Sequence, residues 1–334
     1  MAATLTISAG VVDSLTTNPS SVIGYSSTKN IVISGDISFA QASALKDVAS
    51  PSITADVAQT SVANLKAITV LSGRTNAFTF TTSDSSASAA DLNTINSLSS
   101  VAPVYSSLTS ISASSAADIK TLYSTTNTTL GDETVTISDT SIDAADINSI
   151  NLSTTGVVTV SATTITGTSS AICTAYKAEA ASTVAGLGNE IVTISDTTIP
   201  AEELRYIELQ TSGQVNIGTS TTSVAGNYTD LNSVLGQVTD TLNGSGVITD
   251  GKISGLATLD VTLDNSASTT FGNNTTGAVK YSVANINTIA GKTTGTVTAV
   301  VDETELDDIK TLTTAGNYTI TVATDGTGQT VASA

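Results

Sequence analysis

The chain has no histidine and no tryptophan, and only one cysteine and one methionine. Without an imidazole there is no common general base and no usual zinc ligand, so histidine-based triads and ordinary zinc centres are excluded. The single cysteine, Cys173, cannot form an intrachain disulfide and reads as a small buried residue. Aromatic residues make up 4% of 334 positions, too few to fill the centre of a large globular core. Cations are scarce too: 11 Lys and Arg stand against 29 Asp and Glu, a net charge of -18. Such a surface repels nucleic acids and anionic membranes. No window approaches ~18 continuous apolar residues, so no membrane span is expected. The first residues, MAATLTISAGVVDSL, have no basic start and no continuous apolar run, and no secretory signal is expected from them.

What remains still folds. Hydrophobic residues reach 40%, charged residues only 12%, and mean hydropathy is +0.21, which is not the composition of a disordered chain. Length alone suggests two domains of ~150 residues. A core of Ala, Val, Ile, Leu and Thr instead suits a thin, elongated body one side-chain layer deep, so a rod is expected.

The main signal is a repeated segment: AQASALKDV (40–48), SAADLNTI (88–95), SAADIKTL (115–122) and DAADINSI (143–150), with weaker copies elsewhere. Its central aliphatic residues are Leu45, Leu65, Leu92, Ile119, Ile147, Ile172, Leu204, Leu231, Leu256, Ile286 and Ile309. They recur every 20 to 32 residues, about 26 on average. Apolar residues three before and three after nearly every anchor describe one face of a short helix. Ser86, Ser114 and Asp143 are placed as caps of the first helical turn, and Pro200 as a first-turn residue. Helices this short need neighbours to be stable.

Between them the period changes to two. Residues 31–36 (IVISGD), 77–84, 133–139 (ETVTISD), 157–162, 190–196 (EIVTISD), 213–218, 259–264, 296–302 and 317–323 (NYTITVA) are rich in Val, Ile and Thr and read as strands. Turns fall at Thr154-Thr155-Gly156, Thr211-Ser212-Gly213, Thr293-Thr294-Gly295 and Thr313-Thr314-Ala315-Gly316. The expected fold is a repeat solenoid: a β-solenoid-like stack of strand plus short-helix coils with parallel sheet, eleven layers making roughly 50 Å. Residues 1–30 read as an N-terminal strand or assembly segment, 31–316 as the solenoid and 317–334 as a C-terminal strand and tail. Asn243, Gly244, Gly246, Asn273, Asn274 and Gly277 mark 235–281 as irregular and looped. Two βαβ domains are the competing fold, but the helices are too short to cover a doubly wound sheet. No G-x-G-x-x-G turn or phosphate-binding loop opens them.

Acidic residues are the only plentiful reactive type. Asp36, Asp56, Asp84, Asp139, Asp196 and Asp302 each precede an anchor by seven to nine residues. The plain reading is a turn cap. The sharper one stacks Asp36, Asp56 and Asp84 from consecutive coils around a calcium ion, although no calcium-loop signature is present. Paired carboxylates could cleave polysaccharide, yet Arg74 and Arg205 are the only arginines and there is no aromatic platform; no catalytic residue is assigned and no enzyme is expected. Glu202, Glu203, Glu303, Asp307 and Asp308 read as a solvated helix face. Threonine rows raise ice binding, against which the uneven period argues. Asn-x-Ser/Thr triplets at Asn127, Asn151, Asn227, Asn243, Asn274 and Asn317 are compositional.

The pattern A-A-D-I/L-N-S/T-I followed by T-T-G-x-V-T-V, as at 144–150 and 154–160, resembles repeats in large acidic Ser/Thr-rich surface proteins of marine cyanobacteria. It is similar as well to fibrous virion proteins of their phages. The resemblance implies a non-enzymatic structural role in a virion or at the cell surface, and brings no cofactor. Strand-like segments at both ends, with no cap in sight, lead to the expectation of a homopolymer joined head to tail by a terminal strand, or of a homotrimer. An adhesin that binds carbohydrate or calcium is the alternative.

Overall fold

A computed structural model describes residues 2–125, 129–236, 252–264, 280–302, 308–312, 317–323 and 329–330. The chain divides into two compact units: Met1–Asp139 with Ser149–Val160, and Thr140–Asn148 with Ser161–Ala334. Both consist of open parallel sheets in which short strands alternate with short helices.

In the first unit, Thr4–Ser8, Asn30–Ser34, Ser52–Asp56 and Thr75–Thr79 pair in that order, all parallel. Ser86–Ser88, Ser110–Ser114, Thr134–Ile137 and Val158–Val160 form a second parallel run. In the second unit, Ser141–Asp143, Thr164–Gly167, Ile191–Ile194, Val215–Ile217 and Ile253–Ser254 make one parallel sheet. Thr198–Pro200, Ser223–Gly226, Asp260–Leu263, Thr296–Asp302 and Asn317–Ala323 make another. Gln329–Thr330 then pairs antiparallel on Thr321 and Val322.

Register follows from alternation, because a slip of one residue would turn every aliphatic side chain outward. Ala87, Ile111, Val135 and Val158 lie opposite one another along one ladder. Ile142, Ile165, Val192, Val215 and Ile253 form another, and Ile199, Val224, Val261 and Val297 a third. All of these are buried; each Val and Ile contributes about 1.5–3 kcal/mol, and Ala87 less. The helices bury the face foreseen from the repeat: every anchor from Leu45 to Ile286 is fully buried, while Ile309 is half-buried. The few aromatics fill the centres; Phe78, Phe80, Tyr105 and Tyr176 are buried, and Tyr105 Oη reaches the Leu92 carbonyl at 3.2 Å.

The nine strands expected from the period of two are all present, eight of them within two residues at their ends, while the one expected over 77–84 runs Thr75–Thr79. The helices are less uniform. Leu45 lies in a 3-10 turn that continues the helix Phe39–Ala44. Ile309 lies in a 3-10 turn, Ile309–Thr311. Residues 252–259 are not helical, because Gly255 sits at φ +92° immediately before Leu256, a left-handed conformation that a right-handed helix cannot contain. The N-terminal segment holds a further copy of the motif, strand Thr4–Ser8 followed by helix Val12–Thr17 with Val12 and Leu15 buried. Asn18 stands at its third apolar position, so the apolar spacing does not reveal this copy. Within 235–281, strands Ile253–Ser254 and Asp260–Leu263 join the ladders. Asn243, Gly244, Gly246, Asn273, Asn274, Gly277 and the turn at 313–316 lie outside the described residues.

Candidate functional site

Several polar side chains bind backbone about one sequence repeat away. Asp84 Oδ2 accepts the N–H of Val62, the first residue of the helix Val62–Lys66. Asp139 Oδ2 accepts from Ala116 N–H at 2.7 Å, and Asp196 Oδ2 from Ser169 N–H at 2.6 Å. Those partners lie 22, 23 and 27 residues upstream. Each carboxylate thus meets the unpaired donors and positive end of a preceding helix. The turn-cap reading of these aspartates therefore holds in a changed form: the helix capped belongs to the repeat before. Ser114 does the same for Ala89 N–H at 2.9 Å. The local caps are Ser88 and Ser115, not Ser86, which bonds Ser110 across the sheet. Asp143 does serve its own helix, accepting from Ala145 N–H at 2.8 Å. Pro200 is the residue before the first helical turn rather than within it.

Helix C-termini receive cations by the same logic. Buried Arg74 donates to the carbonyls of Leu45 and Val48 at 3.0 and 2.8 Å and holds Asn76 Oδ1 with its other nitrogens. Lys252 donates to the Glu208 carbonyl, and Lys292 to that of Asn232 at 2.9 Å. Arg205 bridges to Asp230 on the following helix at 2.8 Å. The asparagine after the anchor reaches forward as well: Asn93 to the Asp118 carbonyl, Asn148 to Ala171 and Asn287 to Thr311.

The Thr-x-Gly turns form the tightest contact. Thr154 Oγ1 donates to the Glu133 carbonyl, Thr211 Oγ1 to Glu190 and Thr293 Oγ1 to Leu259, each at 2.7 Å. Gly156, Gly213 and Gly295 press against those same carbonyls so closely that a Cβ would lie 2.1–2.2 Å from the oxygen. Beneath two of these turns lies a fully buried glutamate. Glu133 Oε2 accepts from Gly131 N–H and Tyr123 Oη, and Glu190 Oε2 from Gly188 N–H and Tyr176 Oη. Oε1 of each makes no protein hydrogen bond. Burial, and then the adjacent glutamate, pushes the phenols of Tyr123 and Tyr176 upward.

The expected calcium trio is not assembled as one stack. Ile37 and Val57 are bridge partners, which sets exposed Asp36 and Asp56 side by side. Asp56 itself lies opposite Thr79, and Asp84 is turned to the helix of Val62. Among the described residues no group of three or more Asp, Glu, Cys or His could hold a metal ion. Glu203, expected on a solvated face, is buried and takes the Ser169 hydroxyl; Glu303 and Asp307 lie outside the described residues. Cys173 is buried, its thiol pushed up by burial, with Sγ 3.6 Å from the Glu203 carbonyl. A shallow depression of about 120 Å³ lined by Asn96, Ser99, Ser100, Val101, Ala102, Pro103 and Thr125 holds no charged group. No helix among the described residues is long and apolar enough to cross a membrane. The chain matches no family model, and no curated protein or solved structure matches it.

Proposed function

We propose that each unit is a stretch of solenoid, with strand, turn and short helix in coils of about 26 residues, and that the protein is a non-enzymatic structural component. The setting that suits it is an extracellular or virion fibre built by end-to-end self-association. One observation carries this reading: Asp84, Asp139, Asp196, Arg74, Asn93, Asn148, Thr154 and Thr211, polar side chains of the kinds that line sites, are committed to backbone about one repeat away. Chemistry of that kind makes a stable scaffold. The acidic surface, net -18, keeps finished fibres apart sideways.

Negative-stain imaging of the purified protein across a concentration series tests the proposal. Filaments that lengthen with concentration are expected; single particles of constant size at every concentration would overturn it. The calcium-dependent adhesin is favoured only by the adjacency of Asp36 and Asp56. It predicts a melting temperature that falls on addition of chelator.

A further inference from the structure

Among the described residues, strands Thr4–Ser8 and Asn317–Ala323 each have an edge that is unpaired or only partly paired. Thr4–Ser8 pairs with Asn30–Ser34 on one side, and no strand among the described residues pairs with its other side. At the C-terminal side, Asn317–Ala323 pairs over seven residues with Thr296–Asp302, and among the described residues its other edge is paired by Gln329–Thr330 at Thr321 and Val322 alone. Natural edge strands are protected by lysine, proline or inward charge; these two carry none. The only charges in residues 1–30 are Asp13 and Lys29, and in 317–334 only Asp325. Like-charge repulsion, strong for the chain as a whole, is therefore weak where the ends would meet.

We propose that Thr4–Ser8 of one copy pairs in parallel with Asn317–Ala323 of a second copy, displacing Gln329–Thr330 and continuing the ladder. This rests on the self-association reading above and names its joint. The occupant is a second copy because the ladder demands a parallel, uncharged strand with aliphatic residues at alternate positions, and the chain supplies one at its other end. Alternation sets the register: Leu5 and Ile7 share rungs with buried Ile31 and Ile33, and Tyr318 and Ile320 with buried Val297 and Ala299. Leu5 must then fall beside Tyr318 or Ile320, which brings Thr6 beside Thr319 or Thr321.

Backbone direction gives a sharp variant. Asn30 N–H donates to the Ala3 carbonyl, so in a parallel ladder the backbone groups of Leu5 and Ile7 face Asn30–Ser34, and those of Thr4, Thr6 and Ser8 face the open edge. Thr6→Pro removes one open-edge N–H and leaves the inner ladder intact. The variant is expected to keep the parent circular dichroism and melting temperature while remaining monomeric. Filaments of parent length from folded Thr6→Pro would overturn the joint.

A second measurement is independent of that variant. Thr6→Cys combined with Thr319→Cys, and separately with Thr321→Cys, is oxidised in the assembled state; buried Cys173 does not compete. One of the two pairs is expected to give a disulfide-linked ladder of multimers, and Leu5→Cys with Thr319→Cys, on opposite faces, none. Filaments with no ladder from either pair overturn this joint and leave self-association standing. Absence of both filaments and ladder overturns both.

Discussion

Replacing Gly156 by alanine tests the layered packing directly. The new Cβ would stand 2.2 Å from the Glu133 carbonyl oxygen, 2.4 Å from its carbon and 2.7 Å from Thr134 N, where ordinary contact begins at 3.4 Å. All three atoms are backbone, held in the ladder by the Thr134–Ile137 strand, and no side-chain rotation relieves them. The two segments must part by about 1 Å. Parting breaks the 2.7 Å bonds from Thr154 Oγ1 to the Glu133 carbonyl and from Thr155 N–H to Gly131. Overpacking costs about 1–3 kcal/mol and each lost hydrogen bond about 0.5–1.5 kcal/mol, so a loss of about 2–6 kcal/mol is expected. That is a large part of the roughly 5–15 kcal/mol typical of a folded domain. Two glycines serve as references. Gly73 has nothing within 4 Å of where a methyl would stand but has φ +79°, so alanine there costs about 1–2 kcal/mol of backbone strain. Gly10, whose nearest neighbour would be 3.9 Å away, should change stability by less than about 1 kcal/mol. Urea unfolding followed by circular dichroism ranks the three, and amide exchange at Thr155 and Val135 localises the damage. A Gly156→Ala cost no greater than that of Gly73→Ala, with exchange at Thr155 unchanged, would refute the close approach.

Asp139→Ala and Asp196→Ala should each cost about 0.5–2 kcal/mol through loss of a helix cap, whereas exposed Asp36→Ala should stay within about 0.5 kcal/mol; equal losses at all three in urea unfolding would refute capping across repeats. Burial raises the phenols of Tyr105, Tyr123 and Tyr176, so above pH ~10 the folded chain retains protons that the unfolded chain releases. Stability from this source is complete below pH ~10 and falls as pH rises past it. Burial raises Tyr206 and Tyr281 as well, so absorbance at the tyrosinate band should show a late-titrating group of tyrosines in the native protein, and titration of all tyrosines near pH 10 without unfolding would contradict the burial. Cys173 should resist a thiol reagent in native buffer and react fully in urea, its burial being the barrier; rapid native labelling would count against the packing of helix Ser169–Ala180.

Some of the arrangement is legible in the residues. The strands of Val, Ile and Thr and the helices with apolar residues at three-residue intervals are local patterns, and local patterns are what periodicity reports. Helix lengths are less secure, since Gly255 stops a helix through a backbone angle that composition alone does not display. Asp84, Asp139 and Asp196 read as capping residues, but their partners lie 22–27 residues away, a distance no local rule spans. The Thr-x-Gly triplets read as turns for the same reason; only stacking shows that the glycine is required by a carbonyl of the preceding repeat.

Glu133, Glu190 and Arg74 are the residues least readable in advance. Each stands immediately before a strand, where a charged residue ordinarily meets solvent, and each is buried beneath a turn or a helix end of another repeat. The sequence by itself determined the inventory: no imidazole, few rings, an acidic excess and an aliphatic motif recurring about every 26 residues, because those are properties of composition and period. Which repeat each polar side chain serves was decided by tertiary structure alone, because that depends on which backbone lies ~3 Å away once the parallel ladders are in register.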